Sequence, residues 1–329
     1  MEGRMAPAGP SIALVIVLPD AEGAVESLLP RLRDLRPSPR EIIAVGQGQP
    51  SSSPQRKASR RLRVIAGDTN GAEGRWSGGR ARLAEAAAWN RGCSEASLDL
   101  IVFLAYDGVP AGPDWLESLV RPLGDPQVAA TYGRQEPLQH DPLGALRMAE
   151  RFGPRGERHR ARLGDSPAGA APRFSLANAA IRRTVWQGIH FNEHFPTGAD
   201  REWARQVLLA SYTIAYVPEA LVRRTERQSP RDLAREALLR GWNDARLGYS
   251  ADGQLGELSS LTRRAAWQLL KAGNPGLLPQ LGSEAAAQAV AYRLGRRLHS
   301  FAPSLRSRIA PEIAHEEPRR ELSDWERAA

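Results

Sequence analysis

The sequence predicts an α/β protein, with a mostly parallel central sheet flanked by helices and a helical C-terminal extension. Three observations predict it. Short β-branched runs alternate with helix-spaced stretches through the first half of the chain. Those runs are apolar throughout rather than alternating with polar residues, the mark of strands covered on both faces. From Ser229 onward the strand signal stops and the spacing becomes helical.

Taken in order, "SIALVIVL" (11–18) is the first strand, and "GAVESLLPRLRDL" carries helical spacing at Val25, Leu28, Leu29, Leu32 and Leu35, interrupted by Pro30. "EIIAV" (41–45) and "LRVIAG" (62–67) are strands on either side of the polar, Pro/Ser-rich loop "QGQPSSSPQRKASRR". "GRARLAEAAAWNRGCSEA" reads as a helix and "LIVFLA" (100–105) as the next strand. Strand, helix, strand in this order implies right-handed crossovers between parallel strands. Residues 138–173, rich in Arg, Gly and Pro, read as looser chain. Order returns with "FSLANAAIRRTVW", the helix "REWARQVLLAS" and the strand "TIAYVP" (213–218). Three helical stretches follow, and a charged, frayed end closes the chain.

The 329 residues suit one large α/β domain with an appendage. A hydrophobic share of 42% and a charged share of 25% describe an ordinary globular protein. Lys and Arg total 45 against 37 Asp and Glu, a net charge of +8 carried almost wholly by Arg. Arg favours bidentate contacts to phosphates, so nucleotides, nucleic acid and anionic membranes are the partner classes to weigh; a GC-rich genome would favour Arg equally. Nucleic acid is set aside, because the aromatics are not interleaved with the basic clusters as a stacking surface would require. The single cysteine, Cys93, leaves no internal disulfide and no Cys-based zinc site, which fits a reducing cytosol. No signal peptide is read at the N-terminus, and no stretch approaches the roughly 18 apolar residues of a membrane span. The expectation is a cytoplasmic protein. Its Arg-rich C-terminal helices are either a solvated face or a peripheral contact at the inner face of an anionic membrane.

Few motifs carry chemistry. "GQGQPS" after the second strand lacks the third glycine of a dinucleotide loop, with Ser51 at that place. Phosphate-loop lysine, HExxH and GxSxG patterns are absent, and the six histidines are scattered. Two acids stand out. Asp107 in "FLAYDGVP" follows the end of a buried strand, where open parallel sheets bind their ligands. A carboxylate there either binds a hard divalent cation that bridges diphosphate oxygens, or makes an Asp turn before Gly108 and Pro110. Asp200 in "PTGADREWARQVLL" opens a helix, with Thr197 three residues earlier in a capping-box-like pattern. It is either a helix-start carboxylate or a general base facing the ligand crevice.

Three blocks, "FLAYDGVPAGPDWLESLVRPLGDPQVAATYGRQEP", "FSLANAAIRRTVWQGIHFNEHFPTGADREWARQVLLASYTIAYVPEALV" and "YRLGRRLHSFAPSLRSRI", resemble the family 2 glycosyltransferases of GT-A fold, in their bacterial rhamnosyltransferase-like branch. The resemblance implies a Rossmann-like GT-A domain over 11–228, a helical extension over 229–310 and a charged tail over 311–329. It implies inverting transfer of a sugar from a nucleotide-diphosphate donor to a glycan, polysaccharide or lipid-linked acceptor hydroxyl. Asp107 would bind Mg²⁺ or Mn²⁺ and Asp200 would be the general base. Pro19, Glu22, Asn90, Tyr106 and Arg134 match nucleotide-sugar positions; Gln135, Asn178, Arg201 and Trp203 match acceptor positions. Trp203 could equally be an ordinary core residue, and Arg134 and Gln135 could serve donor or acceptor.

The chain departs from the family pattern at several of these places. Glu22 stands where an Asn is usual, Gly46 for the base-holding Asp, Trp89 for an Arg, Ala105 for a first metal-site acid and Ala199 for a Glu. Arg224, Thr225 and Glu226 replace a His-Ser-His pattern. These losses motivate the alternative function, a catalytically inactive GT-A-fold binding or scaffold protein in polysaccharide assembly.

Overall fold

The computed structural model describes residues 11–18, 30, 32–46, 62–66, 74–75, 81–82, 85–139, 141–152, 158–162, 173–195, 198–224 and 229–313. Its centre is a nine-stranded sheet. Strands β1 (Ile12–Leu18), β2 (Glu41–Gly46) and β3 (Leu62–Ala66) lie side by side in parallel. The hairpin β4 (Gly74–Arg75) and β5 (Ala81–Arg82) stands apart from the sheet, followed by helix α1 (Glu85–Glu95). Ala81 and Arg82 are therefore strand residues, outside the helix that the spacing suggested. Strand β6 (Leu100–Leu104) joins the other edge of β1, again in parallel.

Beyond β6 the chain makes β7 (Gly108–Pro110), helix α2 (Trp115–Val120), β8 (Val128–Pro137), helix α3 (Pro142–Phe152), β9 (His159–Ala161), β10 (Asn178–Arg182) and helix α4 (Arg183–Gly188). Helix α5 (Ala199–Leu209) and strand β11 (Thr213–Arg224) complete this part. The segment 138–173, read as loose chain, contains α3 and β9. Strand β10 runs against both β6 and β8, while β8 and β11 run parallel to each other. Six strands thus share one direction, and β7, β9 and β10 oppose them. The sheet is mixed but mostly parallel, as the sequence predicts.

Burial follows from the period of two in a strand. In β1, Ala13 and Val15 enter one core with Ile43, Phe103, Trp89 and Trp203, under α1 and α5. Ile12, Leu14, Ile16 and Leu18 enter the other, with Leu104, Trp115, Leu116 and Leu119, under α2. Both faces are covered, which is why no polar residue interrupts the strand. Strand β11 extends past Pro218, the point where the apolar run seemed to end. A register shift between Val217 and Val222 lets the proline leave the ladder, and pairing resumes to Arg224.

The C-terminal helices are α6 (Pro230–Arg246), α7 (Ala251–Lys271), α8 (Leu278–Arg297) and α9 (Pro303–Ile309). Ser229 and Asp232 form a reciprocal capping box at the start of α6. Helices α6 and α8 touch backbone to backbone: a methyl at Gly241 would strike the Tyr292 carbonyl, and one at Gly295 the Leu238 carbonyl. Leu143 of α3 packs with Ala265, Leu269 and Leu281, and a buried ion pair joins Arg147 to Glu284. The extension is thereby fastened to the α/β domain. Ile313, in the stretch read as tail, is buried against Leu238, Trp242 and Leu298.

Candidate active site

The parallel register places the carboxyl ends of β1, β2, β3, β6, β8 and β11 on one edge of the sheet. Strand β10 begins at the same edge, because Asn178 pairs with Leu104 at the end of β6. Helix α5 packs on β11 and enters it through a tight turn, Tyr212 N–H donating to the Val207 carbonyl at 3.2 Å. The helix therefore runs against the strand, and its first turn lies at the same edge. Asp107, Arg134, Gln135, Asn178, Asp200, Arg201 and Arg224 all belong to this edge.

Asp107 lies in the turn after β6, with Gly108 N–H donating to the Ala105 carbonyl at 2.8 Å. Its carboxylate is only 4% exposed. Arg224 approaches it from β11: the guanidinium Nε lies 3.0 Å from Oδ1 and 3.2 Å from Oδ2. The cause is topological. The end of β11 pairs antiparallel with β7, setting Arg224 directly across from Gly108. Tyr106, one residue before Asp107, is 37% exposed.

Gln135 is 1% exposed, yet among the described residues neither its amide nitrogen nor its amide oxygen has a partner. A buried amide with both ends open marks a place where a water or a ligand supplies the bonds. Arg134, one residue before, forms a half-buried pair with Glu136 at 3.5 Å. The charges of both act on Tyr216, whose hydroxyl is pushed up to about 12, first of all by burial.

Asp200 sits in the first turn of α5, half-buried, its Oδ1 accepting from Arg201 N–H at 2.8 Å. The residue flanking the helix is Gly198 in the left-handed region (φ 74°), not a side-chain cap; Thr197 lies outside the described residues. The charges of Arg205 and Arg201 act on Tyr249 of the extension; burial dominates and pushes that phenol up to about 12. Glu202, an acid the sequence reading passed over, is buried and accepts from Gln206 at 2.9 Å.

Three expected contact residues take other places. Trp203 has no exposed surface; its ring packs on Phe174 and Phe191, and its Nε1 donates to the Ile189 carbonyl at 2.6 Å. Stacking on an acceptor sugar is closed to it, because the apolar side of α5 needs that ring in the core. Asn178 is fully buried, its Nδ2 donating to the carbonyls of Arg134 (2.9 Å) and Ala220 (2.7 Å) and its Oδ1 accepting from Trp115 Nε1 (3.0 Å). Asn90 clamps α1 to the following layer: its Nδ2 donates to the Phe191 carbonyl and Glu193, and its Oδ1 accepts from Trp186 Nε1 and Phe191 N–H. Both amides are spent on bonds within the protein. Pro19 and Glu22 lie outside the described residues.

No group of three or more His, Cys, Asp or Glu side chains that could cage a metal occurs among the described residues. Asp107 would offer a divalent cation a single carboxylate, a number of protein ligands that Mg²⁺ commonly accepts.

The chain is an α/β protein with an open, mostly parallel sheet. It carries one acid past a strand's carboxyl end and a second at a helix start on the same edge, the edge at which such sheets generally bind ligands. Known proteins share parts of this sequence. Over 138 residues, 41% of this chain, it is 31% identical to the O-antigen chain rhamnosyltransferase RfbN of Salmonella typhimurium strain LT2, taking in 43% of that protein. Over 136 residues, 40% of the chain, it is 32% identical to the O-antigen chain rhamnosyltransferase WbaN of Salmonella anatum, again 43% of its length. The matched stretch spans less than half of either relative. Both are rhamnosyltransferases, the branch that the sequence blocks resemble. No family model matches the chain. Similar solved structures include the mannosyltransferase PcManGT from Pyrobaculum calidifontis with GDP-Man and Mn²⁺ (TM-score 0.46, 20% identity, 93% of this chain and 85% of that one). Another is S. aureus TarS 1–349 (TM-score 0.46, 13% identity, 88% and 91%).

Proposed function

We propose that this chain is an inverting glycosyltransferase that moves a sugar from a nucleotide-diphosphate donor to an acceptor hydroxyl on a glycan, polysaccharide or lipid-linked saccharide. The observation that carries the reading is the gathering of Asp107, Gln135, Arg224 and Asp200 at the carboxyl edge of the sheet. The 31% identical match to a rhamnosyltransferase supports it.

Asp200 takes the acceptor proton as the acceptor oxygen attacks the anomeric carbon. The new carbon–oxygen bond forms on the face opposite the breaking bond to the diphosphate, so the configuration inverts. The Arg201 N–H, 2.8 Å from Oδ1, fixes the carboxylate's orientation. Asp107 is the side chain that would hold Mg²⁺ or Mn²⁺, whose charge offsets that developing on the leaving diphosphate. Gln135 brings a desolvated amide with unspent donors and acceptor, suited to sugar hydroxyls. On this reading Tyr106 serves the donor, Arg134 the donor or the acceptor, and Arg201 the acceptor.

The test is incubation with a panel of nucleotide sugars and Mn²⁺, reading donor hydrolysis and transfer, beside Asp200→Asn. Absence of both activities, with no effect of the substitution, overturns the reading. The alternative, an inactive scaffold, draws on the cation already seated on Asp107. Metal-dependent binding of nucleotide diphosphate rules it out.

We also propose peripheral contact with an anionic membrane through α7. Among the described residues no helix is long and apolar enough to cross a membrane. One face of α7 carries Trp267 (59% exposed) and Leu270 (48%) among exposed Arg263, Arg264 and Lys271. The Lys271 ammonium sits 5.2 Å from the Trp267 ring centroid. Apolar side chains framed by cations match the headgroup boundary of an anionic bilayer. Co-sedimentation with phosphatidylglycerol vesicles should fall on Trp267→Ser with Leu270→Ser. Equal binding to neutral vesicles, or no binding at all, refutes it.

A further inference from the structure

The cation the site needs has, in this chain, a covalently attached rival. Asp107 and Arg224 are 117 residues apart in sequence, yet one guanidinium Nε spans both carboxylate oxygens, at 3.0 and 3.2 Å. The pair is enclosed, with side-chain exposures of 16% for Arg224 and 3% for Asp107. Arg224 is held there by backbone pairing on two sides, with Gly108 of β7 and Pro137 of β8. The guanidinium occupies the side of Asp107 that a divalent ion would coordinate, and two cations cannot share that face without mutual repulsion.

We propose that Arg224 and a divalent cation are alternative counter-ions of Asp107. In the nucleotide-free chain Arg224 neutralises the carboxylate and closes it to metal. A diphosphate draws the guanidinium off, because its oxygens offer Arg a bidentate partner of higher charge. Asp107 is then open, and the metal binds with the diphosphate rather than before it. Arg224 is thus a diphosphate-binding residue that also sets the order of binding. This rests on the reading of Asp107 as the metal-side acid.

The probes are Mn²⁺ alone, followed by electron paramagnetic resonance, and pyrophosphate with and without Mn²⁺, followed by calorimetry. Wild type should bind Mn²⁺ alone weakly. Arg224→Gln should bind it at least about tenfold more tightly, the worth of a charged hydrogen bond removed from the competing side. The same variant should lose metal-free pyrophosphate binding by a similar factor. Arg224→Lys, which keeps the charge beside a buried carboxylate, should fall between and guards against failure of the Gln variant to fold. Unchanged or weaker Mn²⁺ affinity in both variants, or undiminished metal-free pyrophosphate binding, overturns the proposal. Asp107→Asn separates the two ideas. If it leaves Mn²⁺-dependent pyrophosphate binding intact, the metal-side reading of Asp107 fails, whatever Arg224 does.

Discussion

The indole Nε1 of Trp115 lies 3.0 Å from the side-chain oxygen of Asn178, and both residues are buried. This bond ties α2 to β10, while the other end of the amide reaches β8 through Arg134 and β11 through Ala220. Asn178→Ala strands one indole N–H and two carbonyls inside the protein. The expected loss is about 3 kcal/mol in urea denaturation, at roughly 1 kcal/mol or more per orphaned group. An acceptor-binding role would instead show impaired transfer at unchanged stability.

Asp200→Asn keeps the size of the side chain and removes the carboxylate proposed as the general base. Transfer should fall by roughly 10²–10⁴-fold, the usual contribution of general base catalysis. Binding of nucleotide diphosphate in calorimetry should stay within about twofold, since the lost step concerns the acceptor proton. A parallel loss of nucleotide affinity would move Asp200 to the donor side.

Gly295 carries a packing constraint. A methyl there meets the Leu238 carbonyl, and the reciprocal position, Gly241, meets that of Tyr292. Gly295→Ala should push α6 and α8 apart and cost about 1–3 kcal/mol. Hydrogen exchange should show the loss concentrated in 230–246 and 278–297, with the sheet protected as before.

Cys93 lies on the buried face of α1, and burial pushes its thiol well above the ordinary range. Native protein should fail to react with a thiol-specific disulfide reagent at pH 8, and one equivalent should react after unfolding in urea. Prompt reaction in the native state would show that α1 opens.

Burial raises the phenols of Tyr216 and Tyr292 to about 12, with the Asp244 carboxylate adding to the rise at Tyr292. A raised folded-state value means the stabilising contribution is complete below pH 10, the unfolded value. It is lost as pH climbs through 12. Urea midpoints should therefore be flat from these groups up to pH 10 and fall above it. Tyr292→Phe should flatten part of that fall, at the expense of its 3.2 Å bond to Asp244.

Much of this protein was legible in its sequence, for reasons of local chemistry. Unbroken apolar runs named β1, β2 and β6 as strands covered on both faces, and the helical spacing from Ser229 onward announced α6. The strand-end place of Asp107 and the helix-start place of Asp200 followed from the residues on either side of them. What the sequence could not settle depended on partners remote along the chain. It showed no sign that β10 would run against its neighbours, or that β11 would pass Pro218 by a shift of register. The helical spacing of Trp203 fitted a core ring and a sugar platform alike, and only the packing of Phe174 and Phe191 against it decided for the core. Arg224 looked like a missing histidine. Its meaning emerged when β11 and β7 brought it onto Asp107, because a charge is neutralised by what the fold sets within about 3 Å of it, not by what lies nearby in sequence.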